Sequence, residues 1–127
     1  MASEQKRAPQ LTRLELQIMQ VLWDNGACTV QTVQQKLPGE PLAYTTVQTM
    51  LNILVRKGKL RRQREGRAFL YTAAESEAKA RKETLRDLID RMFGGRSEEL
   101  VMSLLKSREI NTKKLAELAK RFEKDRE

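Results

Sequence analysis

A helix that passes directly into a basic hairpin constrains the fold of this chain more than any other feature. The segment, residues 44–71, reads YTTVQTMLNILVRKGKLRRQREGRAFLY. Apolar residues first recur at helical spacing, which predicts an amphipathic helix that stops at Lys57-Gly58. The pattern then changes to two β-capable runs, KLRRQRE and AFLYTA, joined at Gly66-Arg67. The segment is therefore predicted to be one helix and one two-stranded hairpin.

Two further helices are predicted ahead of this segment. Residues 11–25 open with a capping box formed by Thr12 and Glu15, and Gly26 is a suitable stop. A shorter helix, capped by Thr29, ends at Pro38-Gly39. Thr45 and Gln48 again have capping-box spacing. Three helices followed by a hairpin are the order of a winged helix-turn-helix, so the predicted fold class is mainly α with a small β-hairpin.

From residue 75 the chain becomes helical again, with narrow apolar stripes between mixed charges. Ser97 and Asn111 are the expected caps of its last two helices. Such short helices bury too little surface alone, and a second copy of the chain is the simplest partner. The alternative is that they fold back on the first domain of their own chain. The predicted dimerisation residues are Leu85, Leu88, Ile89, Met92, Phe93, Leu100, Val101, Leu104, Leu105, Leu115, Leu118 and Phe122.

The predicted organisation is therefore a flexible basic arm (1–10), a winged-helix DNA-binding domain (11–74) and a helical dimerisation domain (75–127). The net charge of +8 favours polyanions, first nucleic acid and second an anionic membrane surface. Residues 1–74 contribute eleven basic against five acidic residues, whereas residues 75–127 contribute fourteen against twelve. Seven of the basic residues fall between Arg56 and Arg67.

Several classes of function are disfavoured by composition. The chain has no histidine and one cysteine, Cys28, so an internal disulfide is impossible and neither a zinc site nor any other metal or cofactor is expected. An enzyme is improbable for the same reason, and we expect Cys28 to be a small buried apolar residue. Neither a signal peptide nor a membrane-spanning run is visible, so the expected location is the cytoplasm, without a membrane partner.

The outward face of the third helix has the chemistry needed to read DNA. The major groove admits one helix, and Gln, Asn and Thr can pair with base edges there. The hairpin arginines then follow the phosphate backbone or probe the minor groove. An ordinary solvated helix face is the alternative interpretation. The candidate residues are Thr45, Thr46, Gln48, Thr49, Asn52 and Arg56 on the recognition helix, and Arg61, Arg62, Arg64 and Arg67 on the wing.

Four stretches together resemble the penicillinase-repressor family (BlaI/MecI/CopY type). They are LTRLELQIMQVLWDNGACTVQTVQQKL, YTTVQTMLNILVRKGKL, EGRAFLYTA and RDLIDRMFGG, and the resemblance covers residues 11 to about 105. It implies a homodimeric transcriptional repressor that binds a palindromic operator in double-stranded DNA. On this resemblance Thr45, Thr46, Gln48, Thr49 and Asn52 match the recognition helix, and Arg64, Gly66 and Arg67 match the wing.

The chain departs from the pattern of the best-known members at several points. Those antibiotic-resistance repressors carry Arg at the positions of Gln48 and Ile53. They respond to a membrane-bound sensor protease through an Asn-Phe bond that ELVMSLLKS, residues 99–107, does not contain. The cysteine cluster of copper-responsive members is also missing. The expected function is therefore that of a DNA-binding repressor whose inducing signal is unassigned. Whether a sensor protease is a partner is left open by the sequence. The alternative is a winged-helix module that binds proteins only.

Overall fold

The structure, a computed structural model, describes residues 11–126, so the predicted basic arm and the last residue lie outside it. The chain divides into two compact units with a boundary between Lys82 and Glu83. Three helices and a two-stranded antiparallel hairpin precede three more helices, which confirms the predicted fold class. The elements are α1 (Arg13–Asn25), α2 (Val30–Lys36), α3 (Tyr44–Arg56), β1 (Leu60–Glu65), β2 (Ala68–Ala73), α4 (Glu77–Phe93), α5 (Ser97–Lys106) and α6 (Thr112–Arg126).

The ends of α1 and α2 follow their capping residues. The Glu15 backbone N–H donates to Thr12 Oγ1 at 3.1 Å, and Glu15 Oε1 accepts from the Thr12 N–H at 2.8 Å, so the predicted capping box is confirmed. Gly26 ends α1 with a φ of 76°, a left-handed conformation that glycine adopts without strain. Thr29 caps α2 by accepting from the Thr32 N–H at 3.2 Å, also as predicted.

The start of α3 differs from the prediction. The helix begins at Tyr44 with Ala43 at the N-cap position, and no side chain caps it, so the capping box assigned to Thr45 and Gln48 is wrong. The preceding loop is held by tertiary contacts instead. Gln34 Nε2 donates to the Leu42 carbonyl at 2.8 Å, and Leu42 packs against the core. The chain before α3 is therefore held by a contact with α2, although no side chain caps the helix.

A single apolar core lies between the helices and the hairpin of the first unit. α3 contributes Val47, Leu51 and Leu54, all fully buried, and β2 contributes Tyr71. The hairpin turns at Gly66-Arg67, as predicted, and pairs Leu60 with Ala73 at its base. The core residues are Ile18, Met19, Val21, Leu22, Cys28, Val30, Val33, Val47, Leu51, Leu54, Leu60 and Tyr71.

The second unit is built from helices without a buried interior. Within residues 83–126 no side chain is buried. Asn111 caps α6, because its Oδ1 accepts from the Lys114 N–H at 2.7 Å, as predicted. Ser97 does not cap α5: it is the first helical residue, and Arg96 occupies the N-cap position without a side-chain bond. Between residues 11 and 126 no helix is both long enough and apolar enough to cross a membrane.

Candidate nucleic-acid interface

One face of α3 is exposed and polar while the opposite face is sealed in the core. Val47, Leu51 and Leu54 have no exposed surface, so they fix the rotation of the helix about its own axis. The candidate residues exposed on α3 are Thr45, Thr46, Gln48, Thr49 and Arg56, whereas Asn52 is half-buried. The structure therefore brings five of the six predicted α3 residues to the surface.

A partly buried ion pair joins the C-terminal end of α3 to the start of α1. Lys57 Nζ lies 2.8 Å from Glu15 Oε2 and 3.0 Å from Oε1. Glu15 is 2% exposed, whereas the Lys57 side chain keeps 26% of its surface. Burial by itself raises the pKa of the Glu15 carboxyl, but the hydrogen bonds from Lys57 and from Thr12 outweigh it, so the pKa lies below its ordinary value.

The strand register divides the hairpin arginines between two faces. Arg62 pairs with Tyr71 and Arg64 with Phe69, so both lie on the face that carries the buried Tyr71. Arg61 pairs with Thr72 and lies on the opposite face. Arg67 belongs to the turn. The sequence pattern does not distinguish these arginines, whereas the register of the hairpin places them in different environments.

Asn52 joins α3 to the hairpin. Its Oδ1 accepts a hydrogen bond from the Tyr71 hydroxyl at 3.0 Å and another from Arg62 Nη1 at 3.1 Å. The Arg62 guanidinium also lies over the Phe69 ring, 4.3 Å from its centroid. Arg64 Nε donates to the Gly66 carbonyl at 3.2 Å within the hairpin itself. Two of the predicted DNA-contacting residues, Asn52 and Arg62, are thus bonded to each other.

Two lysines of the basic run are also paired within the protein. Lys57 binds Glu15, and Lys59 Nζ lies 3.3 Å from Glu75 Oε1. Neither partner follows from the sequence, in which Glu15 is recognisable only as part of a capping box. The partners are 42 and 16 residues away along the chain, beyond the reach of any local pattern. The charge available for a polyanion is therefore smaller than the run of basic residues suggests.

The predicted dimerisation residues are exposed or half-buried in this single chain. Met92 is 70% exposed and Phe122 is 61% exposed, an unusual surface for large apolar side chains. The other exposed members of the predicted set are Leu85, Leu88, Leu104 and Leu118. The half-buried members are Ile89, Phe93, Leu100, Val101, Leu105 and Leu115.

Cys28 has the structural role expected of it. It is buried in the core and exchanges both backbone hydrogen bonds with Tyr71, at 3.0 and 2.8 Å. Burial raises the pKa of its thiol, which keeps the sulfur protonated at neutral pH. In the part of the chain that the structure describes, no cluster of acidic, cysteine or histidine residues could hold a metal ion.

Comparison with known proteins identifies the family. A family model described as penicillinase repressor matches residues 11–124. The chain belongs to the penicillinase repressor family. The match runs beyond residue 105, where the resemblance in the sequence ended, so α6 belongs to the family region as well. Penicillinase repressors are DNA-binding transcriptional regulators rather than enzymes, which agrees with the expectation from composition.

Individual relatives support this assignment. The penicillinase repressor of Bacillus licheniformis is 28% identical over 114 residues, which cover 89% of each protein. That of Staphylococcus aureus is 19% identical over 110 residues, covering 86% of this chain and 87% of the relative. The solution structure of the DNA-binding domain of the repressor BlaI superposes with a TM-score of 0.51 at 35% identity. It covers 57% of this chain and 90% of that domain, and its likeness agrees with the winged-helix assignment.

Proposed function

We propose that this protein is a homodimeric transcriptional repressor that reads a palindromic operator with α3 and a basic wing. The observation that carries the proposal is the two-sided nature of α3. Its apolar face is fully buried, and its outer face presents threonine and glutamine side chains beside a basic hairpin. A rigidly seated helix with donors and acceptors on its outer face is what readout of the major groove requires.

The exposed residues of α3 divide by position into two roles. Thr45 and Thr46 lie in the first turn, where backbone N–H groups and the helix dipole favour a phosphate. Gln48 and Thr49 lie further along the same exposed face, where their side chains reach base edges. We therefore assign sequence preference mainly to Gln48 and Thr49.

The basic side chains supply affinity without sequence preference. Arg67 at the hairpin turn, Arg61 on the outer strand face and Arg56 at the end of α3 are all exposed. Each contact between such a residue and a phosphate releases counterions and steepens the salt dependence of binding. Arg64 is also exposed, close to the turn, and joins this group.

The exposed apolar side chains of the second unit support association of two chains. Seven large apolar residues of α4, α5 and α6 are exposed, and no residue from 83 to 126 is buried. Closed two-fold dimers are the commonest way to cover such a surface. A two-fold dimer places two recognition helices on a palindrome with half-sites about one helical turn apart. Because a repressor shares a compartment with its operator, the proposal includes a cytoplasmic location.

Selection of bound fragments from a random DNA library, followed by fluorescence anisotropy with the full chain, tests this function. We expect an enriched palindrome and a steep loss of affinity with salt.

Gln48→Ala should relax discrimination at one or two base pairs of each half-site, whereas Gln35→Ala, on the exposed surface of α2, should not. Arg67→Ala should weaken binding to all sequences, and Arg121→Ala, the same charge change on α6, should not. The proposal fails if the protein binds no sequence better than random duplex; salt-insensitive binding to a protein would favour an interaction module.

A further inference from the structure

We infer that Asn52 positions the wing against the recognition helix and does not itself read a base. This inference rests on the proposed function and changes the role that the sequence suggested for Asn52. It also gives Arg62, a predicted wing residue, a positioning role, and it adds one residue that the sequence did not suggest, the buried Tyr71. The three side chains form a helix–wing joint, defined by Asn52, Arg62 and Tyr71.

The hydrogen bonds of Asn52 leave its carbonyl oxygen no capacity for DNA. Arginine has only donors, so the Asn52 atom that faces Arg62 must be the oxygen. That oxygen has two acceptor positions, and Tyr71 fills the second. A specific contact from asparagine to adenine uses the side-chain oxygen and the amide nitrogen together. Asn52 would have to release one of its donors to make that contact.

Both donors have further contacts within the first unit. Tyr71 is 1% exposed and exchanges two backbone hydrogen bonds with the buried Cys28. Arg62 is paired with Tyr71 across the strands and lies over the ring of Phe69. A cation over an aromatic ring adds a further attraction at this point. The joint therefore connects α3 to both strands of the hairpin, through the buried Tyr71 on β2 and the exposed Arg62 on β1.

The consequence for DNA binding is geometric. Gln48 and Thr49 lie on α3, whereas Arg61 and Arg67 lie on the hairpin. Both sets must meet one duplex at the same time, and the joint fixes the angle between them. Loss of the joint should therefore lower the affinity for every DNA sequence by a similar factor, because the wing and α3 are no longer held at the angle at which both contact one duplex. Base preference stays with Gln48 and Thr49.

Tyr71→Phe provides the decisive test, since it removes one hydroxyl from a residue too buried to touch DNA. In the full chain we expect Tyr71→Phe and Asn52→Ala each to weaken binding to the selected operator and to its single-base variants by the same factor, about tenfold. The order of preference among those variants should not change. The double variant should lose little more than either single variant, because both act on one joint.

A matched destabilised variant separates positioning from simple loss of stability. Val21→Ala removes core volume from α1, which contributes no residue to the joint, and Val21 is 7% exposed. Val21→Ala serves as a control if it lowers the thermal stability about as much as Tyr71→Phe or Asn52→Ala does. Measured well below the unfolding temperature, Val21→Ala should then bind DNA like the wild type. Equal weakening by Val21→Ala would overturn the inference. So would a Tyr71→Phe protein that binds like the wild type while Asn52→Ala loses discrimination at one base pair.

Hydrogen exchange without DNA tests the joint independently of function. The amides of β1 and β2 should exchange faster in Asn52→Ala and Tyr71→Phe than in the wild type. Asn52→Asp keeps an acceptor for both donors and should retain slow exchange. Unchanged exchange in Asn52→Ala would overturn the inference. A wild-type protein without sequence preference would refute the proposed function instead, and the exchange measurement would still decide whether Asn52 holds the wing.

Discussion

The two units of this chain carry similar leucine-striped helices but use them differently. In the first unit the stripe of α3 is fully buried, and twelve side chains from three helices, β1, β2 and the strand-like residue Cys28 form one core. In the second unit the stripes of α5 and α6 contribute no buried residue at all. The difference shows that an apolar stripe predicts burial only when another element lies over it.

This contrast assigns different sources of stability to the two units. The first unit gains its stability from contacts within the chain, since its core is complete. On our proposal, the second unit gains it from association with another copy, because its apolar side chains are covered only then. Stability of the first should therefore not depend on protein concentration, whereas order in the second should depend on it.

The largest expected effect is the loss of core volume in the first unit. Leu51→Ala should lower the free energy of unfolding by about 3 kcal/mol, because Leu51 is fully buried and the removed atoms leave a cavity. Urea denaturation at several protein concentrations measures it. The loss should be the same at each concentration, and Leu104→Ala should cause no comparable loss in the first unit. A loss that varied with concentration would contradict the comparison.

A charge placed on the exposed stripe of the second unit should have the next largest effect. Phe122→Asp should weaken dimerisation about a hundredfold, or about 2.7 kcal/mol, since a carboxylate would have to be buried in the apolar contact. Sedimentation equilibrium measures the dissociation constant. Ser103→Asp, on the exposed surface of α5, is the control with the same charge. An unchanged dissociation constant in Phe122→Asp would place the interface elsewhere.

Loss of the Glu15–Lys57 pair should come third. Lys57→Met should lower the stability of the first unit by about 2 kcal/mol at neutral pH, because it leaves the Glu15 carboxylate buried without its partner. The value is below the range for fully buried pairs because Lys57 is partly exposed. Thermal unfolding measures it, and Lys36→Met, a lysine on the exposed surface of α2, is the control.

The same pair predicts how stability changes with pH. The pKa of Glu15 is lowered in the folded state, so its contribution is fully present above the ordinary carboxyl pKa and is lost as pH falls through the lowered value. In Glu15→Gln, the free energy of unfolding should fall less steeply as the pH is lowered through the acidic range. Near neutral pH it should not change with pH. An unchanged acid profile in Glu15→Gln would show that other carboxyl groups determine it.

The smallest predicted effect concerns the caps of the second unit. Asn111→Ala should destabilise α6 by about 1 kcal/mol, because Asn111 accepts the Lys114 N–H at 2.7 Å. Ser97→Ala should change α5 very little, since Ser97 makes no capping bond. Hydrogen exchange of the first-turn amides, read at one protein concentration, measures both. Equal effects of the two substitutions would contradict the observed capping geometry.

The helix caps show which structural features local sequence patterns can predict. Thr12, Thr29 and Asn111 were predicted correctly because each side chain bonds to a backbone group only three residues away. Ser97 and the Thr45–Gln48 pair had similar local patterns but do not cap. At α3 the chain is held by Gln34 through the Leu42 carbonyl, a contact that spans eight residues and left no local pattern to recognise.

The same reason explains why the outer face of α3 follows from the sequence, whereas the contacts of Asn52 do not. The periodicity of α3 separates its core face from its outer face, and this distinction depends only on helix geometry. The role of Asn52 did not follow from periodicity, since its two donors lie 10 and 19 residues further along the chain. Helical spacing places Asn52 on the same face of α3 as Gln48. The hydrogen bonds to the hairpin give Asn52 a different environment from the exposed Gln48.

The sequence by itself determined the order of helices and strands, the position of the hairpin turn and the apolar face of each helix. These features depend on backbone geometry and on side chains a few residues apart. Only the tertiary structure decided which members of the basic run are paired within the protein. Lys57, Lys59 and Arg62 turn to Glu15, Glu75 and Asn52, because charged and polar groups pair with whatever the fold brings within a few ångströms.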